Sequence, residues 1–272
     1  VQSEMIIFDG LYSFISLALT MLSLYINNFM AKKELDKYPF GKYILEPLVI
    51  SLKSLIIGGM CLYSLIGAIQ DIVNGGNSVE YGSALIYSIV SVVGCGGVYI
   101  FMKKKGEKIS SEMVKVEASQ WLMDTLLSIG VLVGFVIAMI LRNTRFAWLN
   151  VYIDPMMVIM ISVVFIKMPI QSFINSFKEI LCVKANDEIN DDIYFIVKEI
   201  EKEYKFEDSI SRVSKIGGEL RIEIDFIYNE ESKLKDLDQM DCVREKVYDA
   251  IKHIDYNKWL NVSFTGDKKW AI

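Results

Sequence analysis

Histidine is almost missing from this sequence: His253 is the only one among 272 residues, and it lies in the charged C-terminal part of the chain. Without a second histidine there is no H-E-x-x-H zinc motif, and no imidazole accompanies the serines of the apolar segments as a general base. The sequence thus offers neither a nucleophile–base pair nor an open metal–water site. These absences argue against a membrane-embedded enzyme.

Paired cysteines and basic stripes are lacking as well. The cysteines form no C-x-x-C pair; Cys61 and Cys95 lie inside apolar runs, and the others are Cys182 and Cys242. This arrangement argues against a zinc knuckle and a disulfide framework, and favours free thiols that pack as small apolar groups. The formal net charge is −5 and no basic stripe alternates with aromatic residues, so no nucleic-acid partner is expected.

What the chain has in abundance is long apolar runs. Hydrophobic residues make up 53% of the sequence, and the mean hydropathy of +0.34 is high for a soluble protein. Five runs reach the roughly 20 residues that a helix needs to cross a bilayer, where a helix satisfies its own backbone hydrogen bonds. Asp, Glu and Lys become dense from residue 178, so we predict a transmembrane domain over residues 1–177 and a soluble domain over 178–272. The predicted spans are residues 5–30, 47–69, 81–102, 118–141 and 155–177.

The joints between these spans differ in positive charge. The first and third joints hold nine lysines, whereas the second holds no Lys or Arg and the fourth holds only Arg142 and Arg145. Cytoplasmic loops of membrane proteins carry the excess of Lys and Arg, so the first and third joints and the tail are predicted to be cytoplasmic. We therefore expect an integral protein of the plasma (inner) membrane. The nine residues are Lys32, Lys33, Lys37, Lys42, Lys103, Lys104, Lys105, Lys108 and Lys115.

The tail has the pattern helix, strand, strand, helix, strand. A helix capped by Asn186 or Asp187 is predicted to run to about Tyr204, because isoleucine and valine recur there at helical spacing. Residues 219–228 alternate apolar and charged side chains, as a half-buried strand does, and Gly217-Gly218 turns the chain from a strand at 211–216. A helix at 237–253 and a strand at 259–264 complete an αββαβ order, which suits a small two-layer α+β domain.

Two carboxylates inside the predicted spans are the first candidates for function. Asp9 and Asp124 each have a polar neighbour four residues away, Ser13 after the first and Gln120 before the second. That spacing puts both members of a pair on one helix face. An ionisable side chain inside a membrane is costly and is a functional hypothesis by default, although Asp9 is near enough to a span end to be a helix cap. Brought together, the two faces would present four oxygen donors around one point.

Motifs along the whole chain resemble those of the cation diffusion facilitator family of divalent-metal/proton antiporters. The most specific is YPFGKYILE at residues 38–46, which is similar to the family's H-P-[FY]-G-H-x-[KR]-x-E loop. Shorter matches are FDGLYS at 8–13 and Gln120-x-x-x-Asp124, which resemble the two ligand-bearing helices, and IDP at 153–155, which resembles the start of the last span.

The resemblance implies an architecture and a site. It implies six membrane spans, the first of which we expect before Val1, followed by a metallochaperone-like cytoplasmic domain. It implies a homodimer that moves metal ions outward in exchange for protons. It also implies that the ligands of the transported metal are Asp9, Ser13, Gln120 and Asp124.

The chain departs from the family pattern at informative positions. Ser13 stands where the family commonly has Asp, and Gln120 where it commonly has His; in the loop, Tyr38 and Lys42 replace histidines and Ile44 replaces a basic residue. A site without imidazole suits a hard cation, so Mn²⁺, Mg²⁺ or Fe²⁺ gains over Zn²⁺, and only the two aspartates remain to exchange protons. The same changes leave an alternative open: a transport-inactive family member that acts as a regulatory or dimerisation partner.

Two other polar residues of the spans have less weight. Glu117 either lines the entrance to the site or lies at a solvated helix end, and the second interpretation is favoured. Lys53 is expected to extend its ammonium group to the cytoplasmic surface, as lysines near span ends do.

Overall fold

The computed structural model describes residues 4–32, 34, 36–76, 81–109, 112–141, 144–145, 147–234 and 236–271. The chain divides into two compact units. The first comprises residues 1–35 and 48–177, and the second comprises residues 36–47 and 178–272. The short segment 36–47 thus belongs with the tail, although it lies between two apolar helices in the sequence.

Long helices make up the first unit. They are α1 (Glu4–Ala31), α2 (Leu45–Val73), α3 (Tyr81–Ile109), α4 (Glu112–Leu141), α5 (Asn150–Phe165) and α6 (Lys167–Ile180). Within the described residues, three helical segments are long and apolar enough to cross a membrane: Leu45–Val73, Val114–Leu141 and Ala147–Ile180. A shorter apolar stretch, Leu17–Ala31, lies in α1. Helices α1 and α3 cover the remaining predicted spans.

The last apolar segment starts earlier than its sequence predicts. It begins with a 3-10 turn at Ala147–Leu149, continues as α5 and passes into α6 at Ile166, whose backbone stays in the right-handed helical region. Pro155, predicted to open the span, lies instead in the second turn of α5. Proline has no amide hydrogen to bond the Val151 carbonyl group one turn earlier, so Pro155 removes one hydrogen bond near the start of α5 without ending the helix.

Small residues allow the helices of this unit to approach closely. A Cβ atom built on Gly134 would lie 3.4 Å from Ile153 of α5, and one on Gly96 would lie 3.5 Å from Thr125 of α4. Helices without a hydrophobic driving force between them associate through such close backbone packing. Gly134 and Gly96 therefore position α4 between α3 and α5.

The tail is a three-stranded sheet covered by two helices. Its elements are α7 (Asp187–Tyr204), β1 (Asp208–Ile216), β2 (Glu219–Ile227), α8 (Leu237–Ala250) and β3 (Asn257–Thr265). Strand β2 is central, antiparallel to β1 and parallel to β3. The predicted α+β architecture, a helical membrane bundle followed by an αββαβ domain, is confirmed.

The tail core follows from the alternation of β2. Leu220, Ile222, Ile224 and Phe226 are each no more than 1% exposed, and they pack against one stripe of each helix. The stripe of α7 is Ile193, Val197 and Ile200, and that of α8 is Val243, Val247 and Ile251. Asn186 caps α7 by accepting a hydrogen bond from the Ile189 amide at 3.2 Å, as predicted.

Candidate cation site

The four predicted ligands lie on two helices. Helix α1 contains positions 9 and 13, and α4 contains positions 120 and 124. The side chains of Asp9 and Ser13 lie outside the described residues, whereas those of Gln120 and Asp124 are described. The convergence of all four on one point therefore stays a prediction.

The α4 half of the candidate site is partly enclosed. Gln120 is only 4% exposed, and Asp124 is half-buried. The hydroxyl group of Ser128 donates to the Asp124 carbonyl oxygen at 2.9 Å, and that of Thr125 donates to the Trp121 carbonyl oxygen at 2.7 Å. Because both protons are used on backbone oxygens, neither hydroxyl donates to the Asp124 carboxylate.

A small cavity lies beside Gln120, between α2, α4 and α6. Its polar lining is Gln120 with the hydroxyl groups of Ser54, Ser119 and Ser172. Ser54 is 2% exposed, and its hydroxyl oxygen has no hydrogen-bond partner among the described residues. A buried polar atom of this kind commonly bonds an ordered water, and the cavity has room for about one.

A buried ion pair lies in the same unit. The Lys53 ammonium group of α2 contacts the Glu117 carboxylate of α4, and the two residues are 2% and 6% exposed. The Thr20 hydroxyl of α1 donates to the other carboxylate oxygen of Glu117 at 3.1 Å. The favoured expectation for Glu117, a solvated helix end, is therefore wrong, and so is the expectation that Lys53 reaches the membrane surface. Each charge is neutralised by the other, which offsets part of the cost of taking both out of water.

The signal in the sequence is the spacing that supported the other interpretation of Glu117, which put it at the entrance to the site. Glu117, Gln120 and Asp124 are spaced i, i+3 and i+7, so they share one face of α4. Because that face carries a predicted ligand pair, an acidic residue on it points into the bundle rather than to solvent. Which lysine or arginine meets it depends on helix packing, which spacing alone does not give.

The loop motif packs on the sheet of the second unit. The Phe40 ring lies 5.7 Å from the Trp259 ring, and Arg221 donates to the Phe40 carbonyl oxygen at 3.1 Å. Lys42 and Tyr38, which replace the family's histidines, contact each other: the Lys42 nitrogen is 4.7 Å from the centre of the Tyr38 ring. This part of the loop is held by protein contacts.

Charge is concentrated where this loop meets the turn between β1 and β2. Glu46 and Glu219 are both buried, and Glu219 pairs with Arg221 at 3.4 Å. Burial raises the pKa of Glu219, against the effect of the Arg221 guanidinium group. Burial and the nearby carboxylates of Glu219 and Glu46 raise the pKa of Tyr43, so Tyr43 is neutral at pH 7.

The described part of the tail has no ready metal centre. Among the described side chains of the whole chain, no three His, Cys, Asp or Glu residues group as metal ligands. His253 instead contacts the Asp192 carboxylate at 2.8 Å through Nε2 and the Ala250 carbonyl oxygen at 2.9 Å through Nδ1.

A bundle of apolar helices with polar groups on facing helices, followed by a small α+β domain, is the architecture of a polytopic membrane protein with one additional small domain. Within that class, residues 1–181 match the family model described as the cation efflux transmembrane domain. The chain therefore belongs to the cation efflux, or cation diffusion facilitator, family, whose members transport metal cations across membranes. This is a transporter family rather than an enzyme family.

One relative supports the assignment over nearly the whole chain. The sequence is 21% identical over 253 residues to the magnetosome protein MamB of Magnetospira sp. (strain QH-2), covering 93% of this chain and 83% of that protein. The match extends past the transmembrane part into the tail, so both parts of the chain share this ancestry.

Proposed function

We propose that this chain exports a divalent cation in exchange for protons, through a site formed by Asp9, Ser13, Gln120 and Asp124. The observation that carries the proposal is the hydrogen bond from Thr20 to Glu117, which joins α1 to α4. Thr20 is seven residues after Ser13 and eleven after Asp9. Glu117 is seven residues before Asp124 and three before Gln120.

These spacings support the convergence of the two ligand pairs. Seven and eleven residues each return close to the same face of a helix with 3.6 residues per turn. Successive spans cross the membrane in alternating directions, so the first and fourth helices run antiparallel. With a rise of about 1.5 Å per residue, Ser13 and Asp124 then lie about 10 Å from the Thr20–Glu117 bond on the same side of it.

The chemistry of the four side chains favours a hard cation. Two carboxylates in a low-dielectric bundle need a positive partner, and a divalent ion supplies it. Carboxylate, hydroxyl and amide oxygens are preferred by Mn²⁺ and Mg²⁺, and Fe²⁺ also tolerates them, whereas Zn²⁺ gains most from imidazole or thiolate. With the cation gone, protons on Asp9 and Asp124 would replace its charge, which couples export to proton entry.

Orientation and assembly complete the proposal. The lysine excess of the first and third joints favours a cytoplasmic tail, and we infer that the bundle lies in the plasma (inner) membrane. We expect a homodimer, as in the family, and large apolar side chains such as Phe195 and Trp270 are exposed on the single tail. Light scattering in mild detergent tests this, and a monomer well above micromolar concentration would contradict it.

The test of function is metal flux into proteoliposomes, measured for Mn²⁺, Fe²⁺, Mg²⁺ and Zn²⁺ with and without a proton gradient. Asp124→Asn removes the described carboxylate and should abolish flux while the protein stays folded. Ser128→Ala is the matched control, because among the described residues the Ser128 hydroxyl bonds only the Asp124 backbone, and flux should persist. Full flux in Asp124→Asn would refute the site.

The same flux assay distinguishes transport from the alternative function, that of a transport-inactive partner. The replacements at positions 13 and 120 favour a transport-inactive partner, since they remove two of the family's common ligands. A parent protein that moves none of the four metals, yet dimerises, would support that alternative.

A further inference from the structure

We propose that Lys53 is a built-in counter-cation of the transport pathway, which holds the Glu117 carboxylate away from the transported ion and so limits how tightly the ion is bound. The inference rests on the proposed function, because it assigns a role beside the same site. It concerns a positioning residue, Lys53, and a third carboxylate beside the site, Glu117, neither of which belongs to the four-residue set.

The first step is burial. Lys53 is 2% exposed and Glu117 is 6% exposed, so water does not screen either charge. A buried ion pair is weak evidence for stability, since apolar residues of similar volume often serve as well. Ionisable groups inside a membrane bundle mark ion pathways by default. A functional role therefore deserves to be tested first.

The second step is position. Glu117 lies one helical turn from Gln120 and two turns from Asp124 on the same face of α4, at rises of about 4.5 and 10 Å. Ser54, the chain neighbour of Lys53, lines the small cavity beside Gln120 and has a buried hydroxyl oxygen with no bonding partner among the described residues. The pair thus lies on the same two helices, α2 and α4, as a small cavity with room for about one water molecule.

The third step is the effect of the charges. The affinity of an oxygen site for a divalent ion rises with the number of charged ligands. With Lys53 in place, the Glu117 carboxylate is occupied and the ion meets only Asp9 and Asp124. Without Lys53, the uncompensated Glu117 carboxylate adds a third negative charge near the site, so the ion binds more tightly and leaves more slowly. Without Glu117, the lone Lys53 ammonium group repels the ion.

The test compares four variants of the full-length protein in mild detergent: Lys53→Met, Lys53→Arg, Glu117→Gln and the double variant Lys53→Met/Glu117→Gln. Calorimetric titration with Mn²⁺ gives Kd, and proteoliposome flux gives KM and kcat per folded transporter. Lys53→Met should lower Kd about tenfold and lower kcat, Glu117→Gln should raise Kd about tenfold, and the other two should stay within about threefold of the parent.

The opposite changes in Kd expected for Lys53→Met and Glu117→Gln distinguish this role from that of a purely structural ion pair. A structural pair would reduce the yield of folded protein in both single variants and leave Kd unchanged in what folds. Equal Kd values across the series would therefore overturn the inference, as would a parent protein that binds no Mn²⁺. Should Lys53→Met fail to fold, Glu117→Gln and the double variant still decide the question, because the proposal requires a tenfold difference between them.

The proposed function can fail separately. If the parent protein shows no flux, or if Asp124→Asn keeps its flux, transport at the four-residue site is contradicted, whatever the Kd series shows. If flux is present in the parent and absent in Asp124→Asn, while Kd is unchanged across the Lys53 and Glu117 variants, the proposed function stands. Only the counter-cation role of Lys53 is then contradicted.

Discussion

The turn between β1 and β2 gives the sharpest structural prediction, because Gly217 supports the loop motif directly. Its φ is +57°, in the left-handed region that favours glycine. A Cβ atom at this position would lie 2.7 Å from a Glu46 carboxylate oxygen and 2.8 Å from the Tyr43 carbonyl oxygen. The second contact is with backbone, which cannot rotate away. Gly217→Ala should therefore push the segment 36–47 off the sheet.

The magnitude follows from two costs. A residue with a Cβ atom pays about 1–2 kcal/mol in the left-handed conformation, which destabilises the turn itself. Overpacking a contact costs about 1–3 kcal/mol, and this part is relieved when the segment detaches. At a factor of ten for each 1.4 kcal/mol, the detached population should rise about 5- to 150-fold.

Limited trypsin digestion of the full-length protein in mild detergent measures that population. Lys42 is 6% exposed while the segment is docked, so cleavage after it reports detachment, and cleavage follows the open population when opening is fast. Gly218→Ala is the matched control, because its Cβ atom would lie at an ordinary 3.7 Å from the Glu46 oxygen. Equal cleavage rates after Lys42 in Gly217→Ala, Gly218→Ala and the parent would refute the reasoning.

Three further predictions concern the tail core, its pH dependence and the cation site. Ile222 is fully buried, so Ile222→Ala should destabilise the tail by about 2–5 kcal/mol, measured by hydrogen exchange of β2 in the full-length protein. The control is Glu223→Ala, at the exposed neighbouring position, which should change the stability of the tail by less than about 0.5 kcal/mol. The pKa of Asp208 is lowered to about 2 by hydrogen bonds from the Lys268 ammonium group and a backbone amide. A carboxyl with a folded pKa below its unfolded value stabilises above about pH 4, and the contribution is lost as pH falls towards 2. Because Asp208 is partly exposed, Asp208→Asn should lower the stability of the tail by less than about 1 kcal/mol at pH 6. Thermal unfolding should also show that the variant loses less stability than the parent when the pH is lowered towards 2. An equal loss of stability in the two proteins would contradict this. Gln120→His should shift flux towards Zn²⁺ relative to Mn²⁺, because it restores a nitrogen ligand, and an unchanged metal preference would count against Gln120 as a ligand.

Local pattern was sufficient for much of the fold. The apolar runs predicted α2, α4 and the last helical segment because a bilayer demands a fixed length of apolar helix. The alternation of residues 219–226 predicted β2 and its buried face, since side chains of a strand alternate between two sides. Strand β1 was predicted too short. Asp208 is a weak strand former, and residues 208–210 join the sheet because they pair with Ile227 to Asp225 of β2.

For the candidate site, too, some features follow from the sequence and others depend on the tertiary structure. The sequence by itself determined which residue types lie on one face of α1 and of α4, and the family motifs indicated their function. The tertiary structure alone decided that Lys53 meets Glu117 inside the bundle, that Thr20 joins α1 to that pair, and that residues 36–47 pack on the sheet of the tail. The physical reason is that helical and strand periodicity fixes the direction of a side chain on its own element, whereas the partner it meets depends on how distant elements pack.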